Sequence, residues 1–141
     1  RALRLDKMFL AGLERVLLYY LKGEAIKRIP VWQMISTPLE SLHIRAEKIG
    51  AELNKSGIQT IIGKSQSTIG GGSLPGETLP SITISVIKPV FPANQQAQLF
   101  RQQTPPVIGR IEGQKFVLDL RTVFPHQDES LISAIKSIFL P

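Results

Sequence analysis

The sequence predicts an α+β fold in which helices cover one face of a mostly antiparallel four-stranded sheet. Three observations predict it. Apolar residues recur at three- and four-residue steps near both ends of the chain, as in amphipathic helices. Residues 58–63 and 81–87 alternate with the period of two that is typical of strands. Residues 107–111 and 115–120 flank Glu112-Gly113 and predict a hairpin.

The first element is predicted to be a helix over residues 5–21, with Asp6 in its first turn and Gly23 at its end. Its apolar residues form one stripe along the helix. This stripe consists of Leu5, Met8, Phe9, Leu13, Val16, Leu17, Tyr20 and Leu21. We expect the stripe to face a core, and the alternative is a partner-binding face.

Residues 24–36 are interpreted as a short helical or irregular connection that Pro30 interrupts. Trp32 is the only tryptophan, and its apolar neighbours favour a role as a core anchor over a stacking platform for a base. A second helix follows, beginning with the run Thr37-Pro38-Leu39-Glu40. This run predicts Thr37 as the N-cap residue, with proline at the first helical position.

The buried line of this second helix is predicted to be Leu42, Ala46, Ile49 and Leu53. His43 lies one step off that line, so we interpret it as a boundary residue rather than a ligand. Residues 54–57 end the helix. The next element is the strand over 58–63.

The run from Ser67 to Pro80 contains three consecutive glycines and two prolines, which predicts a loop between two strands. Such a loop is a usual place for a binding site, and the alternative is a plain surface crossover. The strand after it is predicted to present Ile82, Ile84 and Val86 on its apolar face.

A short polar helix over 94–103 comes next and is broken by Thr104-Pro105-Pro106. In the hairpin that follows, a tight turn would place Ile111 opposite Gln114. Alternation then puts one set of residues on the second face of the hairpin, namely Ile108, Arg110, Val117, Asp119 and Arg121. The last helix is predicted over 128–140.

The amino-acid composition limits the classes of protein to which this chain could belong. The chain has 141 residues, enough for one domain with a core, and a net charge of +6. Such a basic excess suits anionic partners, but because it is spread thinly along the chain, charge alone favours a solvated surface. It has no cysteine, which excludes disulfides and fits a cytoplasmic location. Its two histidines are far apart, so we predict no metal site. It contains no apolar run of about 18 residues, so we expect no membrane partner.

Candidate chemistry is sparse. Ser65, Ser67 and Ser73 have no histidine beside them, and the glycine run lacks the Gly-Lys-Ser/Thr of a phosphate loop. Arg1 and Arg4, three residues apart, could grip one tetrahedral anion on a helical turn, or they are simply solvated near the chain end.

Arg110 and Arg121 are the second candidate pair. They could share a sheet face and hold a carboxylate or phosphate, or an ion pair with Asp119 could occupy them instead.

Three motifs together carry a family resemblance. They are Arg1-Ala2-Leu3-Arg4-Leu5-Asp6-Lys7-Met8, the loop from Ile69 to Pro75, and the hairpin from Pro106 to Ile111 that continues to Leu118-Asp119-Leu120-Arg121. In this order they resemble the C-terminal part of bacterial selenocysteine synthase, the L-seryl-tRNA(Sec) selenium transferase family. The resemblance covers essentially the whole chain. It implies one small C-terminal domain, residues 1–141, of a fold-type-I pyridoxal-phosphate enzyme.

The resemblance implies a reaction in which selenium from selenophosphate replaces the seryl hydroxyl of seryl-tRNA(Sec), with pyridoxal 5'-phosphate as electron sink. It implies that the Schiff-base lysine lies upstream in a large domain, so no catalytic residue is expected here. It assigns Arg1 and Arg4 to binding of the anionic donor. Ser73, Arg110 and Arg121 are expected as cleft or tRNA contacts.

The resemblance further implies a cytoplasmic homo-oligomer built from dimers. The absence of an initiator methionine suggests a piece of a longer polypeptide. Two alternatives remain at this point: a related pyridoxal-phosphate lyase or transferase acting on a free amino acid, and a non-catalytic basic module that binds RNA or a partner.

Overall fold

The computed structural model of the chain describes residues 5–70, 76–87 and 89–140. Arg1, Arg4 and Ser73 lie outside the described residues, as does the loop segment 71–75. The described helices are α1 (Lys7–Leu21), α2 (Ala25–Arg28), α3 (Pro30–Ser36), α4 (Leu39–Lys55), α5 (Ala93–Arg101) and α6 (Asp128–Phe139). The described strands are β1 (Thr60–Thr68), β2 (Thr78–Val86), β3 (Arg110–Glu112) and β4 (Lys115–Asp119).

Within the described ranges the four strands form one sheet in the order β1-β2-β4-β3, and every neighbouring pair is antiparallel. The predicted α+β fold is therefore confirmed. The β1–β2 pairing runs from Thr60 opposite Val86 to Thr68 opposite Thr78. The predicted loop was too long, because Ser67 and Pro80 belong to strands. The second half of β1, residues 64–68, is polar throughout, so the sequence there lacks the apolar alternation that indicates a strand.

One face of the sheet packs against helices and forms the core. Ile82 and Ile84 of β2 are almost fully buried there, as the alternation predicted. The cluster also includes Phe116 and Leu118 of β4. The helices contribute Leu42, Ala46, Ile49 and Leu53 from α4, Phe100 from α5, and Leu131, Ala134 and Ile135 from α6. The predicted buried line of α4 is thus confirmed, and His43 beside it is half-buried and pairs with Glu47 at 3.5 Å.

The contact pattern divides the chain into two compact units, residues 1–37 and 38–141. The second unit holds the core just described. In the first unit, none of the residues of α1 is buried, so no core among the described residues covers its apolar stripe. Trp32 is half-buried rather than a core residue, and its indole N–H donates to the Tyr20 hydroxyl at 2.5 Å.

The ends of two helices show how local chemistry sets their bounds. The Asp6 carboxylate accepts from the Met8 backbone N–H at 3.0 Å, so Asp6 is the N-cap residue of α1, which begins at Lys7. Helix α4 begins one residue later than predicted, and Pro38 is its N-cap residue. The Thr37 hydroxyl instead donates to the Gln33 carbonyl at 2.6 Å, at the end of the preceding helix. A threonine between two helices can serve either one, and sequence alone does not decide between them.

The β3–β4 turn lies one residue later than predicted, at Gly113 and Gln114, which have φ of +50° and +69°. A two-residue turn with positive φ at both positions matches the right-handed twist of the flanking strands. Ile111 therefore lies opposite Phe116, not opposite Gln114. This register differs from the predicted one by two residues, an even number, so the predicted faces of the hairpin are retained.

Arg45 of α4 joins three elements around the edge of the core. Its guanidinium is bidentate on Asp128 at the start of α6, at 2.5 and 3.0 Å, and its Nη2 also donates to the Val123 carbonyl at 2.9 Å. The Arg45 side chain is only 13% exposed. Such a planar fork fixes the angle between α4 and α6 more tightly than a single point charge could.

Candidate functional site

The sheet face opposite the helices carries a group of polar and charged residues around Asp119. We name its charged centre the Asp119 cluster, which consists of Ser65, Ser67, Ser81, Arg110, Glu112, Asp119 and Arg121. These residues come from all four strands and from the turn after β4. Their side chains meet because alternate positions on paired strands share one face.

Asp119 is the centre of the cluster and is only 5% exposed. Its carboxylate accepts hydrogen bonds from the Ser67 and Ser81 hydroxyls, from Arg110 Nη1 at 2.6 Å, and from the Arg121 backbone N–H at 3.0 Å. Burial acts to raise the pKa of Asp119, but these hydrogen bonds outweigh it and hold the pKa below its ordinary value. The carboxylate is therefore ionised at neutral pH.

Arg110 uses all three guanidinium nitrogens within the cluster. Nε donates to Glu112 at 2.5 Å, Nη1 to Asp119 at 2.6 Å, and Nη2 to the Ser65 hydroxyl at 2.9 Å and the Gln66 carbonyl at 3.2 Å. Burial acts to lower the pKa of Arg110, and the two carboxylates raise it above its ordinary value. The ion pair with Asp119, one of the two alternatives left open by the sequence, is present.

Arg121 lies in a 3-10 turn over Leu120–Thr122 and not on a strand, because β4 ends at Asp119. The expectation that Arg110 and Arg121 project from one strand face was therefore wrong for Arg121. The Arg121 side chain is buried, and its Nη2 donates to the Pro80 carbonyl of β2 at 2.5 Å. Burial lowers the pKa of Arg121, and the Asp119 charge opposes that shift.

Glu112 completes the cluster at its more exposed end. It accepts from Arg110 and from the Ser65 hydroxyl at 2.9 Å, and the hydrogen bond from Arg110 is the main cause that lowers the pKa of Glu112. The four ionic groups of the cluster are two arginines and two carboxylates, so their charges cancel. A balanced network of this kind cross-links strands; it is not a surplus of positive charge that would attract an anion.

The described residues do not assemble a nucleophile with a base. Ser67 contacts a carboxylate but no histidine; His43 pairs with Glu47, and His126 stacks on Phe124 with ring centroids 5.6 Å apart. No group of three or more acidic, histidine or cysteine side chains among them could hold a metal ion. None of the described lysines is buried.

A separate surface groove of about 280 Å³ lies between the segment after β2 and the β3–β4 turn. Its lining is mostly apolar and includes Val86, Val90, Phe91 and Phe116. It contains none of the residues of the Asp119 cluster. The Asp119 cluster and this groove are therefore two separate features of the second unit.

Sequence reasoning placed Arg110 and Asp119 on one face but missed the serines that join them. The signal was present in β2, where Ser81, Thr83 and Ser85 alternate with the apolar Ile82 and Ile84, and Ser65 and Ser67 of β1 have the same two-residue spacing. That alternation predicts a polar face. Arg1, Arg4 and Ser73 cannot be placed relative to the cluster, because they lie outside the described part of the chain.

Taken together, the described residues define an α+β protein with a polar sheet face joined by ion pairs. No described helix is both long and apolar enough to cross a bilayer. The sequence profile of the L-seryl-tRNA selenium transferase family matches residues 1–124. The chain belongs to the L-seryl-tRNA selenium transferase family.

Individual relatives agree with the family match. The chain is 36% identical over 142 aligned residues to the L-seryl-tRNA(Sec) selenium transferase of Hyphomonas neptunium, covering 99% of this chain and 31% of that protein. The Carboxydothermus hydrogenoformans enzyme is 34% identical, covering 90% of this chain and 28% of that protein. The Haemophilus influenzae PittEE enzyme is 38% identical over 87% of this chain. The chain thus spans about 30% of the length of such relatives.

Proposed function

We propose that this chain is the C-terminal region of a pyridoxal-phosphate-dependent transferase that converts seryl-tRNA(Sec) to selenocysteinyl-tRNA(Sec), with selenophosphate as selenium donor. The observation that carries the proposal is the family match, which extends over residues 1–124 and both compact units. Relatives named for this activity align with 99% and 90% of the chain. The proposal includes a cytoplasmic homo-oligomer built from dimers.

The proposal assigns the cofactor lysine to polypeptide outside this chain. Two features of the described residues support that assignment. Their lysines are exposed or, for Lys136, half-buried and bonded to Glu52 at 3.1 Å. In the Asp119 cluster, the Arg110 guanidinium is already bonded to Asp119 and Glu112, which leaves it little capacity to bind a substrate anion. Pyridoxal phosphate, when bound by the complete enzyme, supplies an electron sink for replacing the seryl hydroxyl.

Within this chain the proposal gives Arg1 and Arg4 the role of binding the anionic donor. On a helical turn, their spacing of three residues would bring both guanidinium groups to one side. Arginine forks match the oxygens of a phosphate-like anion, and each charge-assisted hydrogen bond contributes about 1.5–3 kcal/mol. Ser73 remains a predicted cleft contact. For Arg110 and Arg121, the observed contacts support a role in holding the strands together.

The test is a selenium-transfer assay on the full-length polypeptide with purified seryl-tRNA(Sec) and selenophosphate. We expect Arg1→Ala with Arg4→Ala to weaken the apparent affinity for selenophosphate by about 10-fold or more, since at least one charge-assisted bond of about 1.5–3 kcal/mol is lost. The matched control is Lys48→Ala with Arg101→Ala, which removes the same charge from exposed positions of the second unit. Equal effects of the two pairs would refute the anion role.

Further measurements on the same full-length polypeptide distinguish the two other functions that the sequence allows. A lyase acting on a free amino acid would bind the cofactor but turn over a free β-substituted amino acid instead of seryl-tRNA(Sec). A non-catalytic basic module would show no cofactor absorbance in the full-length polypeptide. Its RNA binding would weaken steeply as salt increases.

A further inference from the structure

Helix α1 presents its main apolar stripe to solvent instead of to a core. Phe9, Leu13, Val16, Leu17 and Tyr20 share one side of the helix at three- and four-residue steps. They are between 39% and 72% exposed, and Met8 and Leu21 are 80% and 83% exposed. The residues of α1 with intermediate burial are Leu18 and Tyr19, which lie off the centre of this stripe.

This stripe is too continuous to be a set of scattered surface residues. From Phe9 to Tyr20 it runs about 16 Å along the helix, at 1.5 Å per residue. None of its five residues is charged. Contiguous apolar patches of this kind mark interaction surfaces. A helix of 15 residues with no buried side chain also gains little stability from its own hydrogen bonds, so it needs an external packing partner.

We propose that the stripe of α1 docks onto the part of the transferase polypeptide that lies outside this chain. The inference rests on the proposed function, because it takes the chain to be a region of a longer protein. More than two thirds of the length of the Hyphomonas and Carboxydothermus relatives lies outside the aligned region. The family match includes α1, so the stripe belongs to the family sequence.

The contrast between the two compact units selects this occupant over a second copy of the chain. The unit over 38–141 has a closed core of its own, whereas α1 in the unit over 1–37 has no buried residue. A region separated from a larger protein exposes the surfaces that the rest of the protein covers. On this basis we expect α1 to pack against polypeptide outside this chain. The core of the unit over 38–141 does not depend on α1.

The test is hydrogen exchange measured by mass spectrometry on the full-length polypeptide and on residues 1–141 alone. We expect α1 amides to exchange at least about 100-fold more slowly in the full-length polypeptide, since docking adds about 2.7 kcal/mol or more to the cost of opening. Phe9→Ser with Leu13→Ser should abolish this difference. Ala11→Ser with Glu14→Ser, on the opposite side of α1, is the matched control and should preserve it.

Two results would overturn the inference. One is equal exchange of α1 in the two polypeptides, and the other is protection in residues 1–141 alone that rises with concentration, which would identify a second copy as the occupant. Both are measured without any variant, so a folding defect cannot obscure them. Exchange does not depend on catalysis: a protected α1 in a protein that fails to transfer selenium would refute the proposed function alone, whereas transfer with an unprotected α1 would refute only this inference.

Discussion

Replacing Asp119 by asparagine tests whether the Asp119 cluster holds the sheet together. The substitution keeps the size of the side chain but removes its charge. Asp119 is 5% exposed and accepts from two serines, Arg110 and a backbone N–H, so its charge is fully engaged in the folded state. All the groups that contact the Asp119 carboxylate donate hydrogen bonds to it. The NH₂ group of asparagine is itself a donor, so it would face these donors without an acceptor.

The magnitude follows from these contacts. Removing one partner of a fully buried ion pair costs about 3–5 kcal/mol, but the Arg110 side chain is 36% exposed, so solvent screens part of the loss. The weakened serine bonds add about 0.5–1 kcal/mol each. We expect a total loss of about 2–4 kcal/mol. With a urea dependence of about 2 kcal/mol per molar, the unfolding midpoint falls by about 1–2 M.

The pH dependence gives a second, independent readout. The pKa of Asp119 is lower in the folded protein, so its stabilising contribution is present above the unfolded value of about 3.9 and is lost as pH falls toward the folded value. The stability difference between the parent protein and Asp119→Asn should therefore be constant from about pH 5 to 8 and shrink below about pH 4. Glu77→Gln, an exposed position in the same unit, is the control for the change in net charge.

The assay is urea unfolding of residues 1–141 followed by far-ultraviolet circular dichroism, with amide exchange in β2 as a local probe. Tryptophan and tyrosine fluorescence are unsuitable, because Tyr19, Tyr20 and Trp32 all lie in the other unit. A loss below about 0.5 kcal/mol would refute the reasoning. So would a difference that stays constant down to pH 3, because the Asp119 charge would then not be its cause.

Two further substitutions test the packing of the same unit. Arg45→Met should lower the free energy of unfolding in urea by about 2–3 kcal/mol, because Asp128 and the Val123 carbonyl lose charge-assisted bonds. Arg45→Lys should recover little of this loss, since lysine lacks the planar guanidinium group. Full recovery by lysine would contradict the argument. Gly109→Ala should lower the unfolding midpoint by an amount worth at least about 2 kcal/mol, because the added Cβ would lie 2.4 Å from the Phe116 ring. A neutral Gly109→Ala would contradict this argument, because the added Cβ would also lie 2.6 Å from the Val117 backbone carbonyl oxygen.

Apolar periodicity was enough to predict most of the fold. The buried line of α4 and the alternation around Ile82 and Ile84 place the same residues in the core that the structure does. The reason is physical: burial of apolar side chains is the dominant favourable term in folding, and it imposes its period directly on the sequence.

Features that depend on polar residues were harder to predict. The N-cap at Thr37 failed because one hydroxyl can bond to either of two adjacent helices, and here it bonds to Gln33. What covers the α1 stripe could not be predicted, because an amphipathic pattern shows that a face is covered by something but does not say by what. The Asp119 cluster required the sheet order, since Ser67 and Asp119 lie on strands that are not neighbours.

The wide sequence separations in the Asp119 cluster bear on the order in which this unit folds. Asp119 reaches back 52 residues to Ser67 and 38 residues to Ser81, whereas the β1–β2 hairpin closes locally. Chain closure over such spans is entropically costly and therefore late. We therefore expect the β1–β2 hairpin to form first, with its serine hydroxyls still hydrated, and the contacts to Asp119 to form later. Contacts made after the rate-limiting step slow unfolding more than they speed folding, so the carboxylate chiefly prolongs the lifetime of the folded state.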